Sequence, residues 1–180
     1  MATYYATASN SYIALDSPEA FVLSDDWGLV TNPRSQFIDR SLQYTSLPDY
    51  AFYNTRYLQD ISFPALTSIG NSAFEQCVIS KVSMPSLEYI GDYAFRSCTM
   101  LPSFTFAKTV SYIGSSAFLG ISVLTSLTFN HTSSDTISFG TSVFHSKTAR
   151  TATIYHYGNS AVLNYNWSND KITPTFVDLR

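Results

Sequence analysis

A short phrase recurs along the middle of this chain and constrains its fold more than any other feature. Each copy places alanine or valine directly before a phenylalanine, and three copies begin with isoleucine and glycine. The phenylalanines are Phe52, Phe74, Phe95, Phe118 and Phe144, at spacings of 22, 21, 23 and 26 residues. A period in the twenties is typical of solenoids, in which each repeat is one coil stacked on its neighbours. The sequence therefore predicts a solenoid whose structural core includes these five phenylalanines.

An apolar triplet follows the phrase in four coils, and a polar residue separates its last two members. The triplets are Leu58/Ile61/Phe63, Ile79/Val82/Met84, Leu101/Phe104/Phe106 and Leu124/Leu127/Phe129. Alternation with a period of two predicts a short strand with one buried face. A second apolar pair, such as Leu87 and Ile90, closes each coil from the opposite side. Pro64 or Pro85 stands just after the first strand, where the backbone need not donate a hydrogen bond to a neighbouring strand. We therefore expect a strand at the start of every coil.

Glycine follows the second apolar pair in four of the five copies. These residues are Gly70, Gly91, Gly114 and Gly140. Glycine suits either a positive φ angle or a very close approach between coils. The residue at the next position can cap a helix in every copy: Asp49, Asn71, Asp92, Ser115 and Thr141. We therefore predict a single helical turn there, with the phenylalanine facing inward.

The two ends of the chain lack the phrase and are rich in aromatic residues. These are Tyr4, Tyr5, Tyr12, Phe21 and Trp27 in front, and Tyr155, Tyr157, Tyr165, Trp167 and Phe176 behind. Because the outer coils of a solenoid leave edge strands that must be covered, we predict an N-terminal cap over residues 1–36, the solenoid over residues 37–148 and a C-terminal cap over residues 149–180, all in one structural domain. Within the C-terminal cap, residues 158–163 suit a short helix or turn, and residues 172–179 suit an extended segment.

The phrase IGDYAFRSCTML at residues 90–101, preceded by KVSMPSLEY, resembles the BspA-like leucine-rich repeats of bacteria. The resemblance covers residues 37–146. It implies an α/β, strand-dominated fold, a right-handed leucine-rich-repeat solenoid with a parallel sheet on one face and single helical turns opposite. Members of the family are mostly surface proteins of bacteria and of some protists that adhere to host proteins or to other cells, and similar repeats occur in phage structural proteins. The family has no shared catalytic residues.

The composition argues against two classes of partner. The net charge is -3 with no basic cluster, which argues against nucleic acid, since phosphates require clustered lysine and arginine. No apolar run approaches the roughly 18 residues of a membrane helix, so we predict no membrane insertion.

The start, MATYYATASNSY, lacks the basic flank and apolar segment of a secretory signal peptide. We expect an extracellular location, at a bacterial cell surface or on a phage virion, because release with a particle at lysis needs no signal.

Cys77 and Cys98 each lie three residues after a phenylalanine of the phrase, so they stack on successive coils. Adjacent strands lie about 4.8 Å apart, whereas a disulfide requires Cβ atoms about 3.5–4.5 Å apart and converging side chains. We favour two buried free thiols that belong to the core, with a disulfide as the second interpretation and a metal site as the third. No paired cysteine or histidine spacing supplies further ligands, so we predict neither a metal nor a cofactor.

The three histidines, His131, His145 and His156, are spread over the least regular part of the chain. We interpret them as exposed or loop-packing side chains. No GxSxG turn or comparable catalytic motif is present. We therefore predict no catalytic residues and no enzymatic activity.

Polar residues between the apolar positions of the predicted strands form two columns across the coils. The columns are Asp60, Lys81, Ser103, Ser126 and Ser62, Ser83, Thr105, Thr128. A sheet face of short hydroxyl groups is flat, with regularly spaced donors and acceptors, and solenoids use such a face for extended binding. We expect Tyr89 and Tyr112, beside the second apolar pair, to stack on the same side and supply rigid contact area. These ten residues are the predicted ligand-binding surface; the alternative is that serine and threonine simply tolerate a solvated strand.

The sequence thus predicts a non-enzymatic recognition or adhesion module that binds a protein or a glycan through its repeat surface. The alternative is a structural subunit of a virion or other assembly, such as a tail or head decoration, that packs through its aromatic ends. A free adhesin requires two sealed ends and a monomer. An assembly subunit requires one open aromatic end that contacts neighbouring subunits or forms a homo-oligomer.

Overall fold

The computed structural model of the protein describes residues 2–6, 11–15, 45–55 and 60–180. Strands β1 (Ala2–Ala6) and β2 (Ser11–Leu15) pair as an antiparallel hairpin. No side chain before residue 45 is described. The predicted N-terminal cap with its aromatic residues, and Leu58 of the first apolar triplet, therefore lie outside the described side chains.

Residues 45–55 and 60–180 form short parallel strands and one short helix. In chain order these are β3 (Ser46–Leu47), β4 (Asp60–Ser62), β5 (Ser68–Ile69), β6 (Lys81–Ser83), β7 (Tyr89–Ile90), β8 (Ser103–Phe106), β9 (Tyr112–Ile113), β10 (Ser126–Thr132), β11 (Ser138–Phe139), β12 (Arg150–Tyr157), α1 (Ser160–Leu163) and β13 (Ile172–Asp178). The pairings among β3 to β13 are all parallel. The predicted strand-dominated solenoid is thereby confirmed, as are the short helix and the final extended segment.

The coils contribute strands to two sheets. We use the name sheet 1 for two separately paired groups of strands. In one group β4 pairs with β6, and the other group contains β8, β10, β12 and β13. The strands β3, β5, β7, β9 and β11 form sheet 2. Sheet 2 was not predicted as a sheet; it forms because Ile69, Ile90 and Ile113 of the second apolar pairs lie in register on successive coils. Pro174 lies inside β13, at the end of the sheet order, where a missing ladder donor is tolerated.

The predicted helical turn at each phrase is replaced by consecutive β-turns. Around Phe74 the turns are closed by bonds from the N–H groups of Ala73, Glu75 and Cys77 to the carbonyl groups three residues earlier. Ser72 and Gln76 have φ angles of 54° and 61°, outside the right-handed helical region. The N–H of Phe74 instead donates to the carbonyl of Ala94 in the next coil, at 2.8 Å. Bonding between coils thus takes the donors that a helix would use, while Phe74 still faces inward.

The cap-forming residues hold neighbouring coils together rather than capping a helix. Asp49 accepts a hydrogen bond from the N–H of Asn71 at 2.6 Å, and Asn71 accepts one from the N–H of Asp92 at 2.8 Å. Asp92 and Ser115 continue the column by accepting from the N–H groups of Ser115 and Thr141. At a helix cap, a short polar side chain accepts a hydrogen bond from an N–H group that would otherwise have no partner. The same kind of side chain is needed here, because the N–H group of the next coil would otherwise be unpaired.

The repeated glycine is required by close contact between coils. A Cβ atom on Gly114 would lie 2.4 Å from the carbonyl carbon of Gly91 in the preceding coil. The glycines with a positive φ angle in the described chain are Gly120 and Gly158, which lie outside this column. Of the two predicted reasons for the glycine, close approach is therefore the correct one.

The five phenylalanines of the phrase form a buried aromatic column. Consecutive rings from Phe52 to Phe118 stack with centroids 5.2 Å apart and interplanar angles of 7° to 15°, and Phe144 follows at 5.5 Å. Trp167 continues the column on Phe144 at 5.3 Å. All of these rings are at most 3% exposed. The aromatic column is therefore the spine of the core, and it extends beyond the last copy of the phrase.

The side chain of Asp170 ends the hydrogen bonding between coils at the C-terminal side. The N–H of Phe118 donates to the carbonyl of Val143 in the next coil, but the N–H of Phe144 donates to Asp170 Oδ2 at 2.8 Å. The hydroxyl of Tyr165 donates to the same oxygen, and burial together with this bond raises the pKa of Tyr165. Asp170 thus supplies, from a fully buried side chain, the acceptor that another coil would provide.

Candidate recognition face and groove

The two predicted polar columns lie on sheet 1 and are in register within each of its two parts. Asp60 pairs with Lys81 and Ser62 with Ser83, while the strands of the four-stranded part align Ser103 with Ser126 and Thr105 with Thr128. The intervening residues Ile61, Phe104 and Leu127 are buried. We call the outward side of sheet 1 the outer face. The structure brings eight of the ten predicted ligand-binding residues together on it.

The outer face continues onto β12, which the sequence analysis did not include. Ser126 aligns with Thr153, and Thr128 aligns with Tyr155. The alternation of Thr151, Thr153 and Tyr155 with buried Ala152 and Ile154 is the signal that could have identified this strand. It was missed because no copy of the phrase follows β12.

Tyr89 and Tyr112 stack as predicted, but on sheet 2 rather than on the outer face. Their ring centroids are 5.3 Å apart with an interplanar angle of 18°, and Tyr89 is 42% exposed. Partial burial raises the pKa of Tyr89, and the nearby Tyr112 raises this pKa further. The placement of the two tyrosines beside the serine and threonine columns was therefore wrong, because the second apolar pair forms its own sheet.

Sheet 1 is interrupted between β6 and β8. In the next coil, Thr125 donates its N–H to the carbonyl of Pro102 at 2.9 Å, which helps to join β10 to β8. Pro102 occupies the same position in its own coil, directly before β8, and has no N–H to donate back toward β6. The bond that helps to join β10 to β8 is therefore missing at the equivalent place between β8 and β6.

A groove of about 490 Å³ lies at this interruption. Its apolar lining consists of Val82, Met84, Pro85 and Ala107. Its polar lining consists of Lys81, Ser83, Thr105, Lys108 and Asn130. Lys81, Ser83 and Thr105 belong to the predicted columns. Lys108 and Asn130 do not, since Lys108 follows the end of β8 and Asn130 lies beyond the part of β10 that pairs with β8.

The two cysteines are buried free thiols, as predicted. The thiol of Cys77 donates to the carbonyl of Phe52 at 2.9 Å, and that of Cys98 to the carbonyl of Phe74 at 3.0 Å. Burial raises the pKa of Cys77 to about 12, and it raises the pKa of Cys98 as well. Thiols that are buried and protonated are poor nucleophiles, so both residues serve the core.

Two of the three histidines are buried in strands rather than exposed. His131 has its Nε2 atom 2.7 Å from the carbonyl oxygen of Val110, and burial lowers its pKa. His156 accepts a hydrogen bond on Nδ1 from the N–H of Gly158 at 3.0 Å. The partly exposed His145 lies 3.2 Å from the carbonyl oxygen of Asn169. Each of the three therefore has a structural contact of its own.

The described ranges contain no group of three or more metal-ligating side chains. None of the helices within those ranges is long and apolar enough to cross a membrane.

Comparison with known proteins finds six copies of the BspA type leucine rich repeat region over residues 34–157. A solved structure of a leucine-rich repeat protein from Bacteroides ovatus is similar at 16% sequence identity, with a TM-score of 0.28. The similarity covers 66% of this chain and 43% of that one, so the chain spans less than half of that protein's length. Comparison with curated protein sequences gave no match. Because the repeat region extends over more than half of the chain, the protein belongs to the BspA-type leucine-rich-repeat family.

Proposed function

We propose that this protein is a non-enzymatic recognition or adhesion module that binds a protein or a glycan through its outer face. The observation that carries the proposal is the set of in-register hydroxyl columns on sheet 1, backed by the buried aromatic column. Such a face presents donors and acceptors at the strand spacing of about 4.8 Å. Because the side chains behind the strands of this face are buried, those strands are held in place before binding, which reduces the entropic cost of association.

Membership of a leucine-rich-repeat family supports an interaction or adhesion role. A protein partner of ordinary size covers about 800 Å² on each side, which requires contact with several coils at once. Adhesive relatives are mostly surface proteins, and similar repeats occur on phage particles. We therefore propose that the module acts at a bacterial cell surface or on a phage virion.

The test is binding to arrays of glycans and of host extracellular proteins, with variants that block the outer face. Replacing Thr128 and Thr153 together by arginine places two large side chains on adjacent strands of the face. Neither residue lines the groove, but Thr128 pairs in register with Thr105, which does. The matched control replaces Ser122 and Thr148, which are exposed and outside the strands. We expect the Thr128→Arg/Thr153→Arg variant to lose the array signals and the Ser122→Arg/Thr148→Arg variant to keep them. Signals that survive both the Thr128→Arg/Thr153→Arg pair and a Ser83→Arg/Thr105→Arg pair on the other part of the face would place binding elsewhere and reject the proposal.

A second candidate function is that of an assembly subunit, and the C-terminal end of the described chain favours it. Strand β13 pairs with β12 on one side and has no described strand on the other. Phe176 and Leu179 are each 39% exposed at this end. An open edge with exposed apolar side chains suits contact with another chain. If this candidate is correct, the Phe176→Glu variant should lower the sedimentation coefficient of an otherwise oligomeric protein; an unchanged value would reject it.

A further inference from the structure

The groove between β6 and β8 differs in charge from the rest of the outer face. Lys81 and Lys108 are two of the four lysines in the chain, and both line it. Among the described residues no carboxylate lines the groove, and the chain as a whole has a net charge of -3. The positive charge is therefore a local feature. A concave site with two ammonium groups and no acidic group selects anions.

Both ammonium groups are available to a ligand. Lys81 and Lys108 are exposed, and neither forms an ion pair with any residue of the described ranges. Asp60, which lies beside Lys81 in register, accepts a hydrogen bond from the hydroxyl of Ser80 at 2.9 Å. Asp135 interacts electrostatically with Lys108. Its carboxylate accepts hydrogen bonds from the N–H and the hydroxyl of Thr132, and these bonds lower the pKa of Asp135.

The remaining lining fits a small amphipathic ligand. Val82, Met84, Pro85 and Ala107 provide an apolar surface beside the polar groups, and the volume of about 490 Å³ lies in the ordinary range for small-molecule sites. A sugar ring has this combination of surfaces, with an apolar C–H face and a rim of hydroxyl groups. Ser83, Thr105 and Asn130 supply the hydroxyl and amide groups that bond such a rim.

A peptide is the less suitable occupant. Peptides that bind as an added strand rely on a run of unpaired main-chain groups. Strand β6 has only three residues, Lys81–Ser83, and it already pairs with β4 on its other side. The strand edge at the groove is therefore too short for a run of ladder bonds, and the charge and polar groups of the lining residues are the better basis for recognition.

We propose that the groove binds a carboxylated saccharide, with the carboxylate between Lys81 and Lys108 and the sugar hydroxyl groups bonded by Ser83, Thr105 and Asn130. The inference rests on the proposed recognition function, which it narrows to a ligand class for one part of the outer face. The rest of the face remains available to a larger partner or to the continuation of the same glycan.

The experiment is calorimetric titration of the whole chain with trigalacturonate and with its methyl ester, in which each carboxylate is a neutral ester on the same sugar backbone. A second pair is 3′-sialyllactose and lactose, which lacks the carboxylated sugar. We expect at least one acidic probe to bind and its neutral counterpart not to bind. The Lys81→Gln/Lys108→Gln variant should weaken that binding about tenfold or more, as for the loss of charge-assisted hydrogen bonds. The Lys147→Gln/Lys171→Gln variant removes the same charge from exposed positions outside the groove and should leave the affinity unchanged.

Several results would overturn the inference, and they are separable from failure of the proposed function. Equal binding of acidic and neutral probes would reject anion selection, and equal weakening in both lysine variants would reject the groove as the site. Binding of neither acidic probe at millimolar concentration would reject the ligand class. Tighter binding of an acidic peptide with the same lysine dependence would reject the saccharide. In each case the Thr153→Arg variant alone still reports on the outer face, because Thr153 lies on β12, two strands beyond β8 and outside the groove lining.

Discussion

Replacing Phe95 by alanine removes the ring at the centre of the buried aromatic column. Phe95 is fully buried, stacks on Phe74 and Phe118 at 5.2 Å on either side, and meets Phe104 edge-on at 5.3 Å. Truncation of a buried phenylalanine to alanine typically costs about 3–5 kcal/mol of unfolding free energy. Three aromatic contacts are lost at once, so we expect a value in the upper part of that range. Because a domain has only about 5–15 kcal/mol in total, the variant should be close to unfolding.

The measurement is urea denaturation followed by circular dichroism and by fluorescence, since coincident curves are needed before a single free energy is assigned. Phe95→Leu keeps most of the volume but loses the stacking, and a cost of about 1–1.5 kcal/mol is expected. The control is Phe176→Ala, at a ring that is 39% exposed, where the cost should stay below about 1 kcal/mol. If Phe95→Ala cost no more than Phe176→Ala, the assignment of the phenylalanines to one buried column would be wrong.

Three further predictions test other parts of the fold. Gly114→Ala should lower stability by about 1–3 kcal/mol, because the new Cβ meets the Gly91 backbone; an unchanged urea midpoint would contradict the close approach. Burial lowers the pKa of His131 in the folded state, so the unfolded chain binds the extra proton and stability should fall as the pH drops below about 6.5. His131→Gln should reduce that loss between pH 7.5 and pH 5 in urea titrations; an equal loss would assign it to other groups. Cys77 and Cys98 should resist a thiol reagent in the folded protein and react in urea, and rapid reaction without urea would contradict their burial.

The periodic parts of the structure were predictable from the sequence. The aromatic column, the first strand of each coil and the inward and outward alternation all repeat with the phrase, as does the glycine, for which the sequence left two reasons open. Equivalent positions have the same environment in every coil. The residue types found there in successive coils therefore indicate whether the position is buried or exposed. The buried free thiols follow from the same argument, since Cys77 and Cys98 occupy equivalent positions.

The turn conformation was not predictable from the same residues. Asp49, Asn71 and Asp92 can accept a hydrogen bond from an amide of a following helical turn or from an amide of the next coil, and both uses favour the same side chains. The choice depends on contacts between coils about 22 residues apart, which propensities within one coil do not report. The separation of Tyr89 and Tyr112 from the outer face has the same cause, because it follows from the second sheet.

The groove and the C-terminal end depend on residues that break the repeat. The groove lies where Pro102 lacks an N–H and Lys108 adds a charge, and neither residue recurs at the equivalent position of the next coil. At the C-terminal end, Trp167 stands in for a phenylalanine of the phrase and Asp170 for a main-chain carbonyl. Such replacements preserve the physical role while changing the residue type, so a search for the phrase does not detect them.

The proposal requires the outer face to be free in solution, and the absolute mass by light scattering over a concentration series tests this. We predict a monomer of 20.0 kDa at every concentration, for the wild type and for the Thr128→Arg/Thr153→Arg variant alike. A closed oligomer that dissociates in this variant would show that the outer face is an interface between copies of the chain, contrary to the proposed recognition function.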